Sequence, residues 1–391
     1  MAALRRRDFV GLGIGAGAAL AFGLAFWRQA FNSPVEPGVG YGPLRGPDAN
    51  GLMLPSGFRA RLVARGGQPV AGTTYDWHEL SDGAATFSTP DGGWILVSNS
   101  ETDRPDGGAS AIRFNRDGSV AGAYPILEGT DRNCAGGPTP WGTWLSCEEV
   151  EEGRVWECDP TGRRPAVERP ALGVFQHEAT AVDPGSGRLY LTEDLADGGF
   201  YRFTPHRYPD LSGGTLEIAT VGTAGSVAWT PVPDPSARDR PTRRQVPGAT
   251  EFRRGEGIWF DTGVAYIATT ADSRIHAYDT RTETLETLYD AAAFPDPPLT
   301  GVDNITVSQA GELFVCEDNN APQLDIRLIT PAREVMPFLT AGGEQHAGSE
   351  LAGVTFDPSG SRMYFSSQTA MGSGAVYEVS GPFRAGGSDQ A

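Results

Sequence analysis

His177-Glu178-Ala179-Thr180-Ala181-Val182-Asp183-Pro184-Gly185-Ser186-Gly187-Arg188-Leu189-Tyr190-Leu191-Thr192-Glu193-Asp194 carries the pattern that decides the fold. An apolar run from Ala179 to Val182 enters a Pro/Gly turn. A second run, Leu189 to Thr192, leaves it and ends in two carboxylates. A third, Phe200 to Phe203, follows before Pro205. Short alternating runs joined by such turns read as half-buried antiparallel strands.

The unit recurs. Glu350 to Phe383 repeats it with the turn Asp357-Pro358-Ser359-Gly360. Asp303 to Thr330 repeats it with Gln309-Ala310-Gly311 and Glu317-Asp318, and Glu256 to Tyr278 with Glu256-Gly257. Degenerate copies run from His78 through Asn99-Ser100-Glu101 to Phe114, and from Gly137 through Cys147-Glu148-Glu149 to Cys158. About six copies of one antiparallel unit, closing on themselves, predict an all-β, six-bladed β-propeller. It is expected over 52–385, with the strand-like Phe58 to Ala64 completing the last blade. A loop excursion is expected over about 206–254.

Composition agrees. The chain has 391 residues, 39% of them hydrophobic, with 52 Gly and 30 Pro spread along it. That is enough for a sizeable core and many turns. A formal net charge of -18 argues against nucleic acid and anionic membrane surfaces as partners.

The N-terminus reads as a targeting segment, disordered or helical, over 1–31. Arg6-Arg7-x-Phe9 precedes a Gly-rich apolar run from Val10 to Trp27, the pattern of a twin-arginine export signal. Five glycines weaken the competing reading as a membrane-spanning helix. Cleavage and an uncleaved anchor both stay open, so the product would be periplasmic, secreted or envelope-anchored. Residues 32–51 read as a Pro/Gly linker.

Candidate chemistry lies in the recurring acids. Glu178, Glu256, Asn304 and Glu350 occupy the start of the first strand of their units. Glu148, Glu193 with Asp194, and Glu317 end the second. Carboxylates gathered in one place need cations among them, since like charges held close cannot all stay ionised. Cys147 and Cys316 each precede a Glu. Cys147 is the stronger ligand candidate and Cys316 equally a buried strand thiol. The four cysteines have no compact disulfide spacing. No Gly-rich phosphate loop or nucleophilic Ser motif stands out.

Asn133-Cys134-Ala135-Gly136-Gly137-Pro138-Thr139-Pro140-Trp141-Gly142-Thr143-Trp144-Leu145-Ser146-Cys147-Glu148-Glu149 resembles the most characteristic block of the PhoX-type alkaline phosphatases. His177-Glu178-Ala179, Thr192-Glu193-Asp194, Glu256-Gly257-Ile258-Trp259, Asp303-Asn304-Ile305, Cys316-Glu317-Asp318 and Ser349-Glu350-Leu351-Ala352-Gly353 resemble later blocks in order. The resemblance implies a propeller with an iron–calcium cluster at one end of its channel, hydrolysing small phosphate monoesters at alkaline pH. It implies Cys147 as thiolate ligand, with Glu256 and Glu317 on iron. Glu148, Glu178, Glu193, Asp194 and Glu350 would serve calcium or support the ligands. Asn99-Ser100-Glu101-Thr102 departs from the Asn-His-Glu-Glu usual in the first blade. A lactonase-like hydrolase with one divalent ion, and a non-catalytic envelope propeller, are the alternatives. A monomer is expected.

Overall fold

The computed structural model describes residues 40–319 and 321–385. The expected leader, and the part of the linker before residue 40, lie outside them. Six antiparallel sheets follow one another along the chain and close into a ring. Blade 1 uses Ser81–Ser88, Trp94–Ser100, Gly107–Phe114 and Val120–Thr130. Blade 2 uses Asn133–Pro138, Trp144–Glu148, Val155–Cys158 and Val167–Glu168. Blade 3 has five strands: His177–Asp183, Arg188–Glu193, Phe200–Arg207, Asp210–Val221 and Val227–Pro231. Blade 4 uses Gly255–Asp261, Val264–Thr269, Arg274–Asp279 and Thr284–Asp290. Blade 5 uses Val302–Val307, Leu313–Glu317, Gln323–Ile329 and Val335–Gly342, edged by Leu52–Met53. Blade 6 uses Leu351–Phe356, Arg362–Ser367 and Ala375–Ser380, completed by Arg59–Arg65. Helical structure among the described residues is limited to short 3-10 turns.

Each seam between neighbouring blades holds its own apolar cluster. Between blades 2 and 3, for example, Leu145, Cys147 and Val155 meet Val182, Leu189 and Tyr201. The alternating strands dictate this, because each presents apolar residues to both faces of a sheet that is covered on both sides. The ring closes where Trp94 of blade 1 donates its indole N–H to Tyr364 Oη of blade 6 at 3.1 Å. Beside that contact, Glu378 of blade 6 accepts from Arg61, Arg362 and Tyr364, tying the early strand to the late ones.

Two expectations change. Much of 206–254 is strand rather than loop, because Asp210–Val221 alternates well enough to pair with Phe200–Arg207 and then with Val227–Pro231. Residues 232–254 remain irregular. They are docked by Arg243 on Glu193 and by Thr242 on Tyr201. Part of the expected linker is also built in. Tyr41 donates to the buried Glu312 at 2.7 Å, and Arg384 pairs with the same carboxylate.

Burial alone would raise the carboxyl pKa of Glu378, but the hydrogen bonds and charge of Arg61, with help from Tyr364 and Arg362, hold it below its ordinary value. Such a group stabilises the fold above its unfolded pKa, and the contribution is lost as pH falls through the folded value. Glu378→Gln should therefore cost about 1–3 kcal/mol at neutral pH. In thermal melts the gap to the unaltered chain should shrink through and below the ordinary carboxylate range. A gap independent of pH would contradict the assignment.

Candidate metal centre

The inner strands bring their first residues together at one end of the channel. Each inner strand has a bulge near its start: between Ser81 and Ala84, Asn133 and Gly136, His177 and Thr180, Gly255 and Ile258, Val302 and Ile305, and Ala352 and Thr355. A bulge re-aims the side chain it contains. In five blades that bulge carries Asp82, Cys134, Glu178, Glu256 or Asp303. The bulges also let the inner strands approach closely. A Cβ on Gly83 would lie 2.5 Å from Ala135 Cα, and one on Gly257 2.8 Å from Asn304 Cα.

A second ring comes from the residues just past the second strands: Glu101, Glu149, Asp194, Asp318 and Gln368. Their backbone N–H groups bond to the residue entering the inner strand, as in Glu149 to Arg132 O, Asp194 to Gln176 O, Asp318 to Gly301 O and Gln368 to Glu350 O. Together the rings line a cavity of about 270 Å³. Eight carboxylates line it (Glu101, Glu149, Glu178, Asp194, Glu256, Asp303, Asp318 and Glu350), against two guanidiniums, Arg132 and Arg254.

Both arginines have left-handed backbone, φ 43° and 54°, unusual for a side chain of this size. Arg132 reaches Glu101 at 2.6 Å and Glu149 at 3.4 Å. Arg254 grips Asp194 with two bonds of 2.8 and 2.9 Å. Its Nη2 is 3.2 Å from Glu256 Oε1, without hydrogen-bond alignment.

Two guanidiniums do not balance this charge. Both oxygens of Glu178, which is fully buried, and Oε1 of Glu256 have no hydrogen-bond partner. Burial first, then neighbouring Glu149, Asp303 and Asp82, push the Glu178 carboxyl well above its usual range. Burial followed by Asp194 and Glu178 does the same to Glu256, and burial followed by Asp82 to Asp303. Glu350 is raised by burial and Asp303. Burial, then Asp82 and Glu178, raise the Cys134 thiol. Three sets have donor atoms within 4.8 Å of one another: Asp82 with Glu101 and Cys134, Cys134 with Glu149 and Glu178, and Glu178 with Glu256 and Asp303. They share members, so the residues form one continuous donor set.

The family model for alkaline phosphatase PhoX matches residues 91–157, 151–288 and 290–371. The chain belongs to the alkaline phosphatase PhoX family. It is therefore a hydrolase of the alkaline-phosphatase type. Among solved structures it is similar to Pseudomonas fluorescens PhoX in complex with vanadate, a transition state analogue. The two are 17% identical with a TM-score of 0.72, over 87% of this chain and 97% of that one. A Bacteroides thetaiotaomicron protein of unknown function aligns with 10% identity and a TM-score of 0.53, over 83% and 76%. A gluconolactonase of Xanthomonas campestris aligns with 14% identity and a TM-score of 0.49, over 88% and 99%. At these identities the likeness is one of fold. No significant match was found among curated protein sequences.

Against the PhoX blocks, the structure gathers Glu178, Glu256, Asp194 and Glu350 in the cavity. It does not bring Cys147, Glu148, Glu193 or Glu317 there. Cys147 sits in the apolar seam between blades 2 and 3, where burial holds its thiol protonated. Cys134, thirteen residues earlier in the same block, supplies the cavity thiol. All four cysteines are free.

The three glutamates instead tie loops together. Glu148 accepts from Asp131 N–H and Arg154 N–H, and Glu317 from Thr300 N–H and Asp325 N–H. Glu193 accepts from Gly199 N–H, Tyr201 Oη and Arg243. In each pair of acids the first faces into its own blade and the second faces the axis, as strand alternation requires. Asp303 likewise replaces Asn304, whose side chain bonds Asp303 and Gly353 N–H. Glu101 reaches the cavity although its block lacks the expected His. Asn99 is structural, bonding Trp144, Ser146 and the carbonyls of Cys134 and Ala135.

Two cysteine variants separate the seam from the cavity. Cys147→Ala should lower stability by about 1–2 kcal/mol and leave bound metal per folded chain unchanged. Cys134→Ala should reduce bound metal with the fold intact. Metal analysis showing the reverse pattern would restore Cys147 as the ligand.

Proposed function

We propose that this chain is a metal-dependent phosphomonoesterase whose calcium and iron ions are held by the channel-end carboxylates and Cys134. The observation that carries the reading is Glu178, two orphaned carboxylate oxygens at the centre of a like-charged, buried donor set. Its chemistry fits the group. Carboxylate oxygens suit calcium, and a thiolate beside carboxylates suits a softer ion such as iron. Cys134, Glu149 and Glu178 would hold the softer ion, and Glu178, Glu256 and Asp303 a calcium ion. Asp82, Glu101, Asp194, Asp318 and Glu350 would complete the set. When bound, such ions supply Lewis-acid polarisation of phosphoryl oxygen and neutralise charge that builds at the transition state.

The chain's own residues prepare the anion site. Arg254 is part-exposed at the cavity, its guanidinium braced by two bonds to Asp194, so its remaining donors are held in a fixed fork. A braced guanidinium is suited to binding two phosphoryl oxygens at once. Arg132, whose Nε and Nη2 are engaged by Glu101 and Glu149, keeps Nη1 as a further donor. Held in place beforehand, these donors need no reorganisation as charge develops.

The proposal extends to location. The Arg6-Arg7 leader would direct twin-arginine export to the periplasm, the medium or an envelope anchor. Tyr41 meets Glu312 in the turn at the far end of the blade 5 inner strand from Asp303. The chain therefore meets the propeller at Tyr41 on the end opposite the cavity. The alternative of a one-ion lactonase needs far fewer ligands and no thiol.

An aryl phosphate assay at alkaline pH tests the proposal. Protein purified from an exporting host should hydrolyse the ester, lose activity in a calcium chelator and regain it with calcium. Glu178→Gln should lower kcat by about 10²–10³-fold or more. Absence of hydrolysis with both metals supplied would overturn it.

A further inference from the structure

We propose that the Gln368 side-chain amide stands in for a cation between Asp82 and Glu101, and so weakens calcium binding on the blade 1 side of the cluster. The inference rests on the reading of the cavity as a cation centre. Gln368 is buried, and its Nε2 donates to Asp82 Oδ2 at 2.8 Å and to Glu101 Oε2 at 2.6 Å. The other oxygens are also served. Asp82 Oδ1 accepts from Gly83 N–H at 2.6 Å, and Glu101 Oε1 from Arg132 at 2.6 Å. Asp82 and Glu101 are thus held by protein donors alone. Glu178, across the cavity, keeps both oxygens without a donor, and Glu256 Oε1 has only the unaligned Arg254 beside it.

The position explains the difference. Glu101, Glu149, Asp194 and Asp318 stand where Gln368 stands in its blade, each with the same backbone bond to the residue entering the inner strand. Blade 6 therefore contributes a neutral donor where four other blades contribute an anion. An amide NH₂ has two donors and no full charge, so it can bridge two carboxylates without a metal. A cation entering between Asp82 and Glu101 must displace it, whereas one meeting Glu178 gains two carboxylate oxygens that have no donor. The two sides should load with different affinities.

The test uses the full chain, stripped with a chelator and titrated with calcium alone, followed by calorimetry and thermal melting. The unaltered chain should show two classes of calcium site. Gln368→Met keeps the reach of the side chain and removes its donors, and Gln368→Glu adds a charge. Both should melt earlier in chelator, and both should tighten the weaker class about tenfold. Their calcium-induced rise in Tm should exceed that of the unaltered chain.

A single class in the unaltered chain, or a weaker class unchanged in both variants, would overturn the inference. So would weakened binding in Gln368→Met, which would make the amide oxygen a ligand. If the unaltered chain bound no calcium at all, the cation-centre reading itself would fail. Because no step depends on turnover, inactivity on phosphate esters would leave this result standing.

Discussion

Glu178 has two carboxylate oxygens without a donor, in a cavity where seven other carboxylates converge. An ionised carboxylate taken out of water alone costs several kcal/mol, and neighbouring charges of the same sign add to that. Without cations the remedy is protonation, which is the direction in which burial and repulsion push Glu178, Glu256, Asp303 and Glu350. With cations the same residues become ligands. The inner-strand bulges, the close approach of Gly83 to Ala135 and of Gly257 to Asn304, and the left-handed backbone of Arg132 and Arg254 all act to hold like charges together. Such an arrangement works against stability unless something positive sits inside it.

The propeller can tolerate that tension because its stability is made elsewhere. Apolar clusters fill the seams between blades, and the seams lie outside the channel end that carries the acids. Cys147 belongs to that scaffold, and Cys134 to the site. Under the proposed function, bound cations would reverse the field at the place where an anion must arrive, which reconciles a net charge of -18 with a phosphate ester as substrate.

The fold was legible because its signal is repetitive. The Asp183-Pro184-Gly185-Ser186-Gly187 type of turn and the runs around it recur often enough for the ring to be counted, and Arg59–Arg65 lies within one residue of where a closing strand was expected. The second-strand carboxylates of the site were legible to within one residue, whereas its thiol, Cys134, lies thirteen residues before the expected Cys147. Period-2 alternation makes a one-residue error a change of face. In Glu148-Glu149 and Glu317-Asp318 the first acid therefore ties loops and the second stands at the axis, a difference the motif alone does not reveal. The signal that could have corrected this was present: aligning Asn133-Cys134 with His177-Glu178 puts Cys134 in the inner-strand position of Glu178. Gln368 was not legible, since its role depends on two carboxylates from blade 1, at the other end of the sequence.

Anomalous diffraction from crystals of protein purified with its native metals, collected across the iron edge and at long wavelength for calcium, tests the central claim most directly. An iron peak is expected within bonding distance of Cys134 and Glu178, and calcium density against Glu178, Glu256 and Asp303. A channel end with no anomalous density, or an iron peak at Cys147, would contradict it.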